Sequence, residues 1–382
     1  MIPYGRQEIT DDDIEAVVSV LRSDFLTQGP VVPRFEQAVA AYASAAHAVA
    51  MNSATSALHV ACLALGLEPG DTLWTTPITF VASANCALYC GARVDFVDID
   101  PGTGNLSVKR LTEKLEAAEK AGILPKIVVP VHLCGLPCDM EAIHSLSRRY
   151  GFRIIEDASH AIGAQYRDER IGSCRFSDVT IFSFHPVKVI TTGEGGMALT
   201  NDALLAERMS LLRSHGITRD AARMTREPDG PWYYQQIELG FNYRMTEMQA
   251  ALGVSQLARL DDYVARRHAL ADRYDAAFAD LPLTLPKRPG ESRSALHLYV
   301  IRLQDVAEHR RIFEALRAGG IGVNLHYIPV HTQPYYEKLG FRTGQFPVAE
   351  RYYAEAISLP MYPTLPHADQ DRVIGQIEAL LQ

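Results

Sequence analysis

The chain has 382 residues, 47% of them hydrophobic and 21% charged, which suits a globular protein of two or three domains. Its formal net charge is -8 and it carries no basic run or stripe, which argues against a nucleic-acid partner and leaves any anionic ligand to local groups. No basic segment followed by an apolar one opens the chain, no apolar run reaches membrane-spanning length, and the six cysteines read as reduced thiols; the expectation is a cytoplasmic protein without a membrane partner.

Thr10 followed by Asp11, Asp12 and Asp13 starts a helix, because first-turn carboxylates suit the positive end of the helix dipole. Ile14, Val17, Val18 and Leu21 then fall at the helical spacing of one apolar face. Phe35, Val39 and Tyr42 mark a second helix. Six strand-like runs follow: HAVAM from His47, TLWTT from Thr72, VDFVD from Val94, KIVVPV from Lys126, FRIIED from Phe152 and VTIFSF from Val179. Helical segments separate most of them: SALHVACLALG, VASANCALYCG, VKRLTEKLEAAEK and MEAIHSLSRRYG. Such alternation predicts an α/β domain with a mostly parallel sheet and a ligand site at the carboxyl ends of its strands.

The segment TREPDGPWYY, rich in turn residues, predicts an exposed loop. A long helix is predicted from Thr246 towards Asp280, with Leu257, Leu260, Val264, Leu270, Tyr274 and Phe278 on its apolar face. HLYVIRL and AISLP then belong to a smaller α+β domain. This divides the chain into a large domain over residues 1–245 with an N-terminal arm, and a connecting helix plus small domain over residues 246–382. Cys86 and Cys90, like Cys134 and Cys138, have C-x3-C spacing, but no histidine-bearing motif follows at ligand distance, so no metal is expected.

Two strand ends carry the residues with chemical promise. The first ends in Glu156 and Asp157, with His160 three residues beyond; the bland alternative is a helix cap. The second ends at Ser183, and Lys188 follows in FHPVK; the bland alternative is a solvated surface charge. The pair says more than either alone, since an aspartate and a lysine at adjacent strand ends can meet in one crevice. Pyridoxal phosphate uses such a pair: the lysine holds it as a Schiff base and the carboxylate keeps its ring nitrogen protonated. A desolvated lysine can be neutral, nucleophilic and then a carrier of protons. The following TTGEGG gives a side-chain-poor turn through which backbone can approach a cofactor.

A phosphate site is available where NSATSAL leads from strand to helix, with Ala54 and Thr55 at the helix start; the alternative is an ordinary capped helix. Phe80, after another strand end, would stack on a cofactor ring or pack in the core.

The chain resembles the DegT/DnrJ-type sugar-nucleotide aminotransferases among the fold type I pyridoxal-phosphate enzymes. The resemblance runs in order from LTQGPVVPRFE through NSATSAL, EDASHAIGA, SFHPVK, TTGEGG and RSHG to GFNYRMTEMQAALG and HYIPVH. It implies a large domain with a mostly parallel sheet flanked by helices and a smaller C-terminal α+β domain. Lys188 matches the Schiff-base lysine and Asp157 the carboxylate at the ring nitrogen. His160 stands where the family places a glutamine or histidine near the cofactor; Ala54, Thr55 and Ser183 match phosphate or cofactor contacts, and Phe80 the stacking aromatic. Asn242 matches a residue that reaches the phosphate of the partner subunit, which implies a homodimer with shared sites.

TPITFVA, FHPVKVITTGEGG and LRSHGIT look most like the branch serving pseudaminic acid biosynthesis. That branch aminates C4 of a UDP-linked 4-keto-6-deoxy-N-acetylhexosamine with glutamate as donor. Tyr4, Asp24, Phe25, Leu26, Thr27, Asn324, Leu325, His326 and Tyr327 then match substrate-contacting segments. Taken alone, Tyr4 equally suits packing of the N-terminal arm, and His326 a satisfied core histidine. A dehydratase branch of the family has histidine in place of the lysine, and Lys188 disfavours it. Relatives act on other UDP- or dTDP-linked 4-keto or 3-keto sugars. A silent sugar-nucleotide-binding scaffold would not need the lysine, the carboxylate and the phosphate loop together.

Overall fold

The computed structural model describes residues 1–381. The central sheet has seven strands: β1 (His47–Met51), β2 (Thr72–Thr75), β3 (Arg93–Phe96), β4 (Ile127–Val129), β5 (Arg153–Asp157), β6 (Val179–Ser183) and β7 (Gly196–Thr200). Their spatial order is β3-β2-β4-β5-β6-β7-β1. The strands from β3 to β6 pair in parallel, while β7 runs antiparallel to both β6 and β1. Runs such as IVV in β4 and VTIFS in β6 are buried throughout, as expected of strands covered on both faces.

The helices before and within this sheet are α1 (Asp11–Leu21), α2 (Val31–Ala43), α3 (Ala54–Ala64), α4 (Ala82–Tyr89), α5 (Val108–Ala121), α6 (Met140–Tyr150) and α7 (Ala203–Leu212). Alternation along the strands builds a core on each face. Ile127, Val129, Ile155 and Ile181 pack with Leu58, Ala61, Ala87 and Met209 of α3, α4 and α7. Val128, Ile154, Phe182 and Leu199 pack with Phe35, Leu111, Leu115 and Ile143 of α2, α5 and α6.

The predicted long helix is two, α8 (Glu247–Leu257) and α9 (Leu260–Ala277). The backbone leaves the helical region at Arg259, with φ -106 and ψ 5. The break falls where Gln256 and Arg259 both reach Asp13 of α1, at 2.8 Å from Nε2 and 2.7 Å from Nη2. Asp13 is fully buried, whereas of the apolar stripe expected to face the core Ile14 and Leu21 are exposed at 52% and 55% and Val17 and Val18 are only half-buried. Burial would raise the Asp13 pKa, but the Arg259 guanidinium and its other hydrogen bonds hold it below the usual carboxylate value.

The last part of the chain carries a three-stranded antiparallel sheet, β8 (Leu283–Thr284), β9 (Tyr299–Leu303) and β10 (Ala356–Leu359), with β9 in the centre. Around it lie α10 (His309–Ala318), α11 (Pro334–Lys338), α12 (Pro347–Glu355) and α13 (His367–Leu381). Its core joins Tyr274 of α9, Tyr299, Ile312, Ile357 and Val373. The TREPDGPWYY segment forms neither helix nor strand, and Trp232 is 72% exposed. Among the described residues no helix is long and apolar enough to cross a membrane.

Candidate active site

The carboxyl ends of β1, β5 and β6 meet the start of the reversed β7 at the floor of a cavity of about 980 Å³. Met51 of β1 leads straight into α3, whose cap Ser53 accepts the N–H of Ser56 at 3.1 Å. The N–H groups of Ala54 and Thr55, both on the cavity wall, have no protein acceptor among the described residues. Free amides at a helix start, aligned with its dipole, suit a phosphate.

Asp157, the last residue of β5, is 5% exposed and faces this cavity. Its Oδ2 accepts from Ser83 Oγ at 2.5 Å and its Oδ1 from the Ser159 N–H at 3.1 Å. These bonds fix the plane of the carboxylate. Glu156, one residue earlier, turns to the opposite face, as strand alternation requires. There it accepts from His132 Nε2 at 2.7 Å, Ser177 Oγ at 2.5 Å and Thr180 Oγ1 at 3.1 Å. Burial would raise the Glu156 pKa, and these donors hold it lowered. Burial lowers the His132 pKa while Cys138 and Glu156 pull it up to about 10; yet the Cys138 N–H lies 3.0 Å from Nδ1, and a backbone N–H can only donate, so the geometry leaves the ring neutral with Nε2–H on the carboxylate.

Lys188 lies on the loop between β6 and β7 and lines the cavity beside Ser183. Its Nζ has no hydrogen bond or ion pair among the described residues. Although part of the residue opens onto the cavity, the surrounding protein desolvates the ammonium and lowers its pKa to about 8, against the opposing pull of Asp157. It is thus neither a solvated surface charge nor a paired one.

Phe80 is 59% exposed on the cavity wall, so it is no core residue; its ring lies 6.3 Å from that of Tyr327. The arm and the last third of the chain add Tyr4, His297, Asn324, Leu325, His326 and Tyr327 to the lining. The Tyr4 carbonyl accepts the Met361 N–H at 2.9 Å, so the arm is anchored by its backbone while the side chain lines the cavity 5.4 Å from the His326 ring. His326 pairs through Nδ1 with Ser358 Oγ at 2.8 Å, and burial drops its pKa to about 3. Burial also holds His160 and His297 well below the usual histidine value. The peptide bond between His326 and Tyr327 is cis.

Residues 7–378 match the profile of the DegT/DnrJ/EryC1/StrS aminotransferase family. The chain belongs to that family. It is 40% identical to the spore coat polysaccharide biosynthesis protein SpsC of Bacillus subtilis, over 100% of this chain and 97% of that protein. It is 36% identical to the UDP-4-amino-4,6-dideoxy-N-acetyl-beta-L-altrosamine transaminase of Campylobacter jejuni, over 100% and 98%. Among solved structures, Helicobacter pylori PseC, an aminotransferase involved in the biosynthesis of pseudoaminic acid, superposes with a TM-score of 0.92 at 31% identity, covering 100% of this chain and 99% of that one. The PLP-form of the putative sugar aminotransferase Spr1654 of Streptococcus pneumoniae gives 0.89 at 28%, covering 99% and 98%. The protein is a sugar aminotransferase with the fold type I architecture.

Not all residues expected in this aminotransferase's site line the cavity of the single chain. Asp24, Phe25, Leu26 and Thr27 follow α1 and are exposed; the Leu26 carbonyl accepts the Glu247 N–H at 3.0 Å, tying the segment to α8. Asn242 is exposed on a bridge with Ser214 and lies outside the cavity wall. The last glycine of TTGEGG makes room for the start of α3. A Cβ on Gly196 would lie 2.3 Å from the Ala54 nitrogen and 2.4 Å from the Ser53 carbonyl carbon. The glycine lets β7 abut the start of α3, so its effect on a ligand runs through that helix.

Sequence reasoning passed over Ser83, His297, Glu194 and Gln249. Ser83 sits inside a predicted helix, and only the fold brings it to Asp157. His297 lies in a stretch read only for its strand pattern. Gln249 donates to the Glu194 carbonyl at 2.8 Å, and both line the cavity. All six cysteines are free, and no group of three or more potential ligands is placed to hold a metal among the described residues.

Proposed function

We propose that the protein is a pyridoxal-phosphate-dependent enzyme that transfers the amino group of glutamate to C4 of a UDP-linked 4-keto-6-deoxy-N-acetylhexosamine. The observation that carries this reading is the convergence of Lys188, Asp157 and the free amides of Ala54 and Thr55 on one cavity. The residues fit the cofactor: an unpaired amine for its aldehyde, an oriented carboxylate for its ring nitrogen, a helix start for its phosphate and the exposed face of Phe80 for its ring. When bound, pyridoxal phosphate supplies an electron sink that acidifies the carbon next to the transferred nitrogen.

The chain's own groups do the rest. Lys188 Nζ, its pKa lowered by burial to about 8, would accept the proton from that carbon in the glutamate half-reaction and supply one to the sugar carbon in the other. Asp157, held by Ser83 and Ser159, keeps a proton on the ring nitrogen. Ala54, Thr55 and Ser183 would position the phosphate, and His160 would adjoin the cofactor. Tyr4 and residues 324–327 bound the space left for the sugar. The named transaminase of Campylobacter jejuni and PseC support the sugar assigned here.

The functional unit in this reading is a homodimer with shared sites. Exposed Asn242 would reach the partner's phosphate, and Asp24 to Thr27 would complete a site across the interface. The uncovered apolar residues Ile14, Leu21, Phe25 and Leu26 give that interface something to bury.

The test is incubation of the holoenzyme with glutamate and a panel of UDP- and dTDP-linked 4-keto and 3-keto sugars, with products weighed by mass spectrometry. The amine of the UDP-linked 4-keto N-acetyl sugar is the expected product. Amination of a different panel member alone would move the protein to another branch of the family, and no amination of any would remove the assignment.

A further inference from the structure

The direction of one hydrogen-bond chain on the cavity wall follows from its first donor. The backbone N–H of Cys134 points at His160 Nδ1 at 3.3 Å. A backbone N–H has no acceptor capacity, so Nδ1 carries a lone pair. His160 is 5% exposed, and burial together with the nearby Lys188 charge keeps its ring neutral. A neutral imidazole without a proton on Nδ1 carries it on Nε2. Nε2 meets Tyr327 Oη at 3.0 Å, so the histidine donates and the tyrosine oxygen accepts.

The hydroxyl hydrogen of Tyr327 must then point elsewhere. It has no other protein acceptor among the described residues, and Tyr327 lines the cavity. The ring is held in place by near-parallel stacking on His160, with centroids 6.0 Å apart at 18°, and His160 packs in turn on His297 at 4.5 Å. A half-buried phenol that already accepts from His160 has its hydroxyl hydrogen free to donate into the cavity.

We infer that Tyr327 donates this hydrogen bond to the keto oxygen of the sugar, and that His160 acts as a positioning residue that fixes the polarity of the tyrosine. This rests on the function proposed above. Lys188, Asp157 and the start of α3 are claimed by the cofactor, whereas Tyr327 belongs to the segment 324–327 that bounds the space left for the sugar. Burial holds the phenol neutral, and His160, His297 and His326 are neutral too. A wall of neutral groups suits an uncharged carbonyl oxygen better than the two carboxylates of glutamate. A donor already aimed at the oxygen polarises the carbonyl without reorganisation.

Two measurements test this. Tyr327→Phe keeps the ring stack and deletes the donor. Its two half-reactions are followed separately on the holoenzyme through the cofactor absorbance bands, first with glutamate alone and then with the keto sugar. The sugar half-reaction should slow by roughly a hundred-fold, at least ten times more than the glutamate half-reaction. Equal slowing of both, or of neither, overturns the inference. A wild-type enzyme that reacts with glutamate but with no keto sugar overturns the substrate reading and this inference with it. Normal sugar chemistry in Tyr327→Phe overturns this inference alone.

The second measurement needs no substrate: nitrogen NMR of histidine-labelled protein, with the His160 signals assigned by their loss in His160→Gln. A protonated Nε2 and an unprotonated Nδ1 are expected. A proton on Nδ1 would make Tyr327 the donor to His160 and would refute the chain of bonds.

Discussion

Replacing Gly196 with alanine adds one methyl group beneath the start of α3, and its consequence can be worked out atom by atom. The new carbon would lie 2.3 Å from the Ala54 nitrogen, 2.4 Å from the Ser53 carbonyl carbon and 2.5 Å from the Ala54 Cα. All three are backbone atoms, so no side chain can swing aside. Strand β7 cannot retreat easily, because Gly196 is paired with Met51 of β1 on one side and Ser183 of β6 on the other. Relief to an ordinary contact near 3.4 Å requires the helix start to move by about 1 Å. The overpacking itself should cost about 1–3 kcal/mol of stability. The displaced atoms are also the amides assigned to the phosphate. Losing one charge-assisted hydrogen bond costs about 1.5–3 kcal/mol, roughly ten- to hundred-fold in Kd. Titration of the apoenzyme with pyridoxal phosphate, followed by absorbance, should show that loss. Pyridoxal, which lacks the phosphate, should bind within about two-fold of wild type, since its contacts lie elsewhere. Equal weakening of both ligands, or no weakening of either, would refute the assignment of these amides.

Three further outcomes follow from the same geometry. Lys188→Ala should abolish turnover, and in the wild-type apoenzyme the rate of aldehyde capture should rise about ten-fold per pH unit up to about 8 and then level off, because the amine is the reactive form; a rise continuing to pH 10 would mark an ordinary exposed lysine. Asp157→Asn keeps the shape and loses the charge, so the half-reaction with glutamate should slow by roughly a hundred-fold or more while sugar affinity changes little; full recovery of rate at saturating cofactor would reduce Asp157 to a binding residue. Inactive Lys188→Ala and Asn242→Asp subunits, mixed under exchange verified by mass spectrometry, should regain roughly a quarter of wild-type sites, because one site of each mixed dimer receives neither defect; no recovery would remove Asn242 from the partner's site.

Local pattern reached far in this chain. All six predicted strands and the four helices between them are present, since each is a short apolar or amphipathic run ended by turn residues. That Asp157 and Lys188 line one cavity was also legible, because a parallel sheet brings adjacent strand ends together. The seventh strand was missed: GMALT follows a glycine-rich turn, and its reversed direction is decided by β6 and β1 on its two sides. The ends of the apolar stripe of α1, Ile14 and Leu21, misled because the ion pair of buried Asp13 with Arg259 turns a polar residue of that helix inward. The break between α8 and α9 escaped for the same reason. Ser83 and His297 were invisible to motif reading, since their roles come from neighbours distant in sequence.

The start of α3 is braced from far along the chain. The Asn52 N–H donates to the Tyr243 carbonyl at 2.8 Å, Gly196 lies against Ser53 and Ala54, and Gln249 of α8 holds the loop before β7 through its 2.8 Å bond to the Glu194 carbonyl. A chain growing from its N-terminus therefore makes the strand and helix that present the phosphate amides long before it makes what holds them. Residues 47–64 can pair and coil early, but their final placement waits for β7, Tyr243 and α8 to leave the ribosome. The reversed strand inserts between β6 and β1, so the two halves of the floor meet only at that late step. Until then the nascent protein has the lysine and the aspartate at hand but no cradle for an anion, and cofactor capture becomes one of the last events in its maturation.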